Sequence, residues 1–155
     1  MSVEESMPEL ESEPPGIEPE HEGRDGDLGI RTHSGIRSEL CGSVTRREAG
    51  MASVLLVTTA EMGADRHGLV HGGFIFGAAD YAAMVAVNDP NVVLGAAETR
   101  FTAPVRVGES VVCAARVEGQ KGRKRMVHVL CAVDGRTVME GSFTTFVLDQ
   151  HVLNH

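Results

Sequence analysis

The stretch from Gly68 to Asn88, GLVHGGFIFGAADYAAMVAVN, holds the residues best suited to chemistry. It contains His71-Gly72-Gly73 immediately before a long apolar run. Paired glycines let backbone amides approach a ligand closely, because no Cβ stands in the way. Where such a pair starts a helix, the first N–H groups lack a carbonyl partner and the positive end of the helix dipole lies beside them. That combination suits a carbonyl oxygen that becomes an oxyanion. The same glycines would also let a helix begin tightly against a strand, with no ligand involved.

The second feature is Asp80. It interrupts Phe74–Asn88, a run rich in Ala and Met and apolar on almost every side. A carboxylate buried there without a partner is costly, and its pKa should rise. Gly73 and Asp80 are two helical turns apart and share a face with Phe76, Gly77, Met84 and Val87. An amide site above one carboxylate is a minimal hydrolytic arrangement: the amide polarises a carbonyl, and the carboxylate acts as base or nucleophile. The alternative is a structural Asp satisfied by a hydroxyl or by backbone across an interface.

These residues need a helix and a sheet to hold them. A helix over Phe74–Asn88 would span roughly 22 Å, and being apolar all round it must be covered all round. Asp89-Pro90 ends it, because the residue before proline disfavours the α region. Ala52–Thr59 reads as a strand before the helix, joined to it by a polar loop over Glu61–Val70. Val92–Ala103, Ser110–Glu118, Arg125–Val133 and Thr137–Val147 read as strands after it. Turn signals separate them at Val107-Gly108, Gly119 to Gly122 and Asp134-Gly135, the last a strong hairpin signal. The pattern predicts an α+β fold, an antiparallel sheet curled around one long central helix.

The chain has 155 residues and a net charge of −8. Residues 1 to 28 hold eight Glu and two Asp against Arg24 alone, together with four of the six prolines, so the rest of the chain is close to neutral. The expected organisation is an acidic, Pro-rich disordered tail over 1–28, a transition segment over 29–49, a domain over 50–150 and a short C-terminal tail over 151–155. Leu40 to Val44 is expected to dock on the domain, and Arg46 to Gly50 to form a turn. No basic surface for nucleic acid is indicated, and the lack of Trp argues against a stacking platform. No run is long enough for a membrane span, and no secretory signal is visible. Three widely spaced cysteines, Cys41, Cys113 and Cys131, rule out a disulfide scaffold and fit a reducing cytoplasm.

His71-Gly72-Gly73 with Asp80 nine positions after the His resembles the motif of hotdog-fold acyl-CoA thioesterases of the phenylacetate (PaaI-like) type. Ala97–Gly108, AETRFTAPVRVG, is similar to the segment that follows it in that family. The resemblance covers about Gly50 to Leu148. It implies a five- or six-stranded antiparallel sheet around a central helix, subunits joined edge to edge as dimers and often tetramers, and a site between two subunits. It further implies that the Gly72 amide polarises a thioester carbonyl and that Asp80 of the opposite subunit activates water or attacks directly. His71 would help fix the substrate. The acyl chain would lie near Gly73, Phe76, Tyr81 and Met84. No cofactor or metal is implied. Several members carry Asn six residues before the His, where this chain has Asp65. That is either a second carboxylate near the site or a loop residue facing water.

Other readings weigh against these. Lys121, Arg123, Lys124 and Arg125 cluster in one turn, suited either to the phosphates of acyl-CoA or to a solvated strand edge. His67 and His71 are four apart, but in a loop rather than on a helix, so a metal pair is disfavoured. Cys113 and Cys131 read as small core residues, and His128 falls on the opposite strand face from Cys131. No G-x-S-x-G, Walker A or dinucleotide-binding glycine pattern is present, nor is the His context of hotdog dehydratases. Fatty-acid-synthesis repressors share the fold and bind acyl-CoA, but behind a helix-turn-helix that an acidic, Pro-rich extension cannot form. A non-catalytic acyl-CoA sensor is the second reading.

Overall fold

The computed structural model describes residues 28–154; the acidic tail expected over 1–28 lies almost wholly outside them. From Arg31 onward the chain forms helix α1 (Ser38–Cys41), strands β1 (Ser43–Glu48) and β2 (Met51–Val57), helix α2 (Gly72–Val87) and strands β3 (Val92–Phe101), β4 (Ser110–Lys121), β5 (Lys124–Val133) and β6 (Arg136–Val147). Short 3₁₀ turns cover Ala60–Met62 and Val152–Asn154.

All six strands join one antiparallel sheet in the order β1-β2-β4-β5-β6-β3. Strict alternation in β4 sends Val111, Cys113 and Ala115 inward and Val112, Ala114 and Arg116 outward. The same period in β2 buries Ala52, Val54 and Leu56. Asp134 and Gly135 take φ of 48° and 80°, the left-handed pair that a two-residue hairpin needs between β5 and β6.

Helix α2 lies across the inner face, mainly on β2 and β4 and then β5. Its Ala78, Ala79, Ala82, Ala83 and Ala86 are all buried. Small side chains on that side let the helix axis approach the sheet, where Val54, Leu56, Val111, Val129 and Phe143 fill the space. Each fully buried Val, Leu or Phe contributes roughly 1.5–3 kcal/mol. Asn88 ends the helix in the left-handed region, with its N–H bonded to the Met84 carbonyl at 2.8 Å.

Two expectations needed revision. Arg46 to Glu48 is strand rather than turn, and the turn itself is confined to Ala49-Gly50. The segment over 29–49, read as a transition, carries α1 and the edge strand β1, so the sheet has six strands where the pattern showed five. Val44 and Cys41 are half-buried there, while Leu40 is 46% exposed. No helix among the described residues is long and apolar enough to cross a membrane.

Candidate active site

The loop between β2 and α2 fixes where the helix begins. Thr58 is buried, and its hydroxyl donates to the Glu109 carbonyl at 2.6 Å and accepts from the Gly108 N–H at 2.9 Å. Met62 is buried, and its carbonyl receives the His71 N–H at 2.9 Å. Val70 is buried and donates its N–H to the Val105 carbonyl at 2.8 Å. These ties hold the backbone on both sides of the helix start.

His71 is the N-cap in an extended conformation, and its side chain makes no capping hydrogen bond. The amides of Gly72 and Gly73 occupy the first helical positions, and the carbonyls four residues back, of Gly68 and Leu69, lie in the loop and receive the N–H groups of Val107 and Ala64 instead. The His71 ring leans over Gly73: a Cβ there would stand 3.2 Å from it. A Cβ on Gly72 would stand 3.4 Å from the ring of Phe101, which ends edge strand β3 and is 53% exposed. Among the described residues, the helix start therefore offers two donors without a backbone partner, between two aromatic rings.

Asp80 lies two turns along α2. Among the described residues, its Oδ1 is a buried side-chain oxygen with no hydrogen-bond partner. Burial pushes its carboxyl up to about 6 from 3.8. The Cys41 thiol of α1 stands close enough that burial, and then the Asp80 charge, push it upward. A Cβ added to Gly77, one turn before Tyr81, would meet nothing within 4 Å, so the helix surface between Gly73 and Asp80 is bare.

Not all the expected site residues come together within one subunit. Gly72 and Asp80 are eight residues apart on one helix, about 12 Å along its axis. They cannot serve one carbonyl carbon in a single subunit. Phe76 is half-buried and stacks on Phe143 with ring centroids 5.4 Å apart. Tyr81 is half-buried near the His33 ring at 6.4 Å, and Met84 is only 1% exposed. Met84 thus belongs to the core of the subunit rather than to the bare side of the helix.

Asp65 organises the loop. Its Oδ1 accepts the N–H of His67 at 2.9 Å and that of Leu69 at 3.3 Å, the Asx-type arrangement in which a short acid holds backbone two and four residues on. It lines a cleft of about 500 Å³ with His67 and with Arg106 and Arg136, two cations that the motif reading did not single out. Arg136 is held there by the Pro104 carbonyl at 3.0 Å and by Glu109 at 3.6 Å. The cluster Lys121, Arg123, Lys124 and Arg125 lies at the other end of the sheet, where α2 finishes: Val147, paired with Val92, donates its N–H to the Arg123 carbonyl. Arg123 pairs with Asp149, and Arg125 donates to the Gly122 carbonyl at 2.8 Å.

The thioesterase superfamily model matches residues 67–138, which run from the loop before His71 to the start of β6. A methylthioribose-1-phosphate isomerase of Aquifex aeolicus is 52% identical over 123 residues, 79% of this chain but 27% of that protein. Transcription factor FapR of Thermoanaerobacter is 28% identical over 125 residues, 80% of this chain and 62% of that protein. The chain thus spans less than two thirds of these curated relatives. Among solved structures, the uncharacterized protein PH1136 from Pyrococcus horikoshii is 48% identical, with a TM-score of 0.79 over 80% of this chain and 95% of that one. A mutant of the phenylacetic acid degradation protein PaaI from Thermus thermophilus is 27% identical, with a TM-score of 0.65 over 72% of this chain and 97% of that one. The sheet around one long helix, the helix-start glycines and the matching segment agree: this chain has the hotdog fold, and its residues 67–138 match the thioesterase superfamily.

Proposed function

We propose that the protein hydrolyses acyl-CoA thioesters to a free acid and CoA, at a site shared by two subunits. The observation that carries this reading is Asp80: a carboxylate with a buried, unpartnered oxygen beside a bare stretch of helix, in a thioesterase-superfamily domain. The Gly72 N–H takes the role of oxyanion donor to the thioester carbonyl, as its place in the first helical turn suits. Asp80 of the opposite subunit takes a proton from water as that water attacks the carbonyl carbon. The tetrahedral intermediate collapses, the C–S bond breaks, and Asp80 returns the proton to the departing CoA sulfur. A carboxyl raised to about 6 is a stronger base than an ordinary one and is still ionised at neutral pH.

The separation of about 12 Å between Gly72 and Asp80 along one helix favours a homodimer. Strand β3 is an unpaired sheet edge, and pairing two copies there antiparallel would set the α2 start of one subunit level with the α2 end of the other. Lys121, Arg123, Lys124 and Arg125 would then lie on the same side as the partner's Gly72, where CoA phosphates need cations. His71, exposed above Gly73, would orient the substrate, and Asp65 would act by holding the loop. The acyl chain would follow the bare helix side past Gly73 and Tyr81, with the half-buried Phe76 ring at its border against the sheet.

The likeness to FapR favours a second reading, an acyl-CoA-binding sensor that does not turn over. The isomerase relative adds no third, because this chain matches about a quarter of it. Free CoA release from acyl-CoAs of graded chain length, by wild type and Asp80→Asn, separates the two. Turnover that collapses in Asp80→Asn supports hydrolysis. Tight acyl-CoA binding by both proteins, with no CoA released by either, supports the sensor. Equal turnover by both proteins overturns the role given to Asp80.

A further inference from the structure

Cys113 on β4 and Cys131 on β5 are direct partners in the antiparallel register. Both are wholly buried on the helix-facing side of the sheet. The Cys131 thiol donates to the Cys113 sulfur, with the two sulfurs 2.8 Å apart. That contact, and then burial, hold the Cys113 thiol well above its ordinary range. Directly opposed residues in an antiparallel pair have Cα atoms about 4.5–5.5 Å apart. A disulfide spans about 4.4–6.8 Å between Cα atoms. The strands therefore already hold the pair at a separation that a disulfide bridges without backbone movement.

We propose that Cys113 and Cys131 are an oxidisable cross-strand dithiol, a modification site that closes to a disulfide and locks β4 to β5 beneath α2. The oxidant is a low-molecular-weight disulfide. One cysteine thiolate attacks its S–S bond, forming a mixed disulfide and releasing one small thiol. The second cysteine attacks the mixed disulfide, forming the Cys113–Cys131 bond and releasing the second small thiol. The two cysteine sulfurs lose two electrons, the reagent gains them, and the cysteine protons end on the two released thiols. β4 and β5 are the middle strands of the sheet, and both thiols are covered in the folded state. The bond therefore forms while the chain folds or opens, and afterwards the same burial shields it from reductants.

The test refolds the reduced full-length protein with oxidised glutathione and maps tryptic peptides without reduction. The three cysteines fall in separate peptides, 38–46, 107–116 and 126–136. The expected result is a linked pair of 107–116 with 126–136 that reductant splits only after the protein is unfolded. The oxidised form should also unfold at higher denaturant, with its unfolding equilibrium constant lowered roughly a hundredfold for a loop of this size. The proposal is overturned if both thiols stay free. It is also overturned if the bonds found join Cys41 or glutathione, if the linked form unfolds at lower denaturant, or if reductant opens the bond in the native protein.

Discussion

The two long sides of α2 are made from the same small apolar alphabet yet end in different surroundings. On one side Ala78, Ala79, Ala82, Ala83, Val85 and Ala86 are closed off by the subunit's own sheet. On the other, Gly73 is exposed, Gly77 faces open space, and Asp80 and Tyr81 are half-covered, near Cys41 and His33 respectively. A helix apolar all round should be covered all round. A single subunit covers one side fully and the other only in part, and what remains open is on the side with the carboxylate. The closed side is a matter of stability, and the open side is where we place the chemistry.

The largest expected effect lies at the open side's start. Gly72→Pro removes one N–H at the first helical position, where proline is tolerated and the preceding His71 is already extended. CoA release should fall by about 10²–10³, with the thermal transition little moved; unchanged turnover would take the oxyanion role away from Gly72. Next comes the closed side. Ala82→Leu forces a larger side chain between helix and sheet and should cost about 1–3 kcal/mol by denaturant unfolding. A neutral result would mean that the helix is not seated on the sheet as described.

Asp80 joins both sides of the comparison. Its carboxyl is raised by burial, so the folded protein holds a proton that the unfolded chain releases from about pH 3.8. That contribution to stability is complete below pH 3.8 and is lost as pH rises through about 6. Asp80→Asn should therefore stabilise the protein at pH 8 by about 1–2 kcal/mol, allowing for its partial exposure, and have little effect near pH 3.5. For the same reason wild-type turnover should fall as pH drops below about 6. A stability gain independent of pH would point to packing rather than charge. The smallest effect is Gly77→Ala, which fills open space and improves helix propensity by about 1 kcal/mol. A loss of stability there instead would show that another chain already occupies that side.

Much of this was legible in the residues themselves. The Ala- and Met-rich run could be nothing but a buried helix, and Asp134-Gly135 between apolar runs marked its hairpin. β1 was not legible, because Ser43–Glu48 is a largely polar edge strand, mostly exposed, and shows no strict alternation. α1 is a single turn without a side-chain cap. The site divides in the same way. Gly72 and Asp80 stand in one short motif, whereas Cys41 comes near Asp80 from 39 positions away, and Arg106 lines one cleft with Arg136 from the far side of β4 and β5 in the chain. Only the folded sheet brings such pairs together, and no local pattern announces them. Asp65 could be read from its type as a candidate acid, but its loop-holding bonds needed the backbone.

The central claim is that one subunit's Gly72 works with the other's Asp80. Mixing Gly72→Pro protein with Asp80→Asn protein, after joint unfolding and refolding, tests it most directly. Each mixed dimer would contain one site with both groups intact, and half of the dimers would be mixed. The account predicts that two nearly inactive proteins together regain about a quarter of wild-type CoA release. No gain over the separate variants, with mixed dimers demonstrated by mass spectrometry, would contradict it.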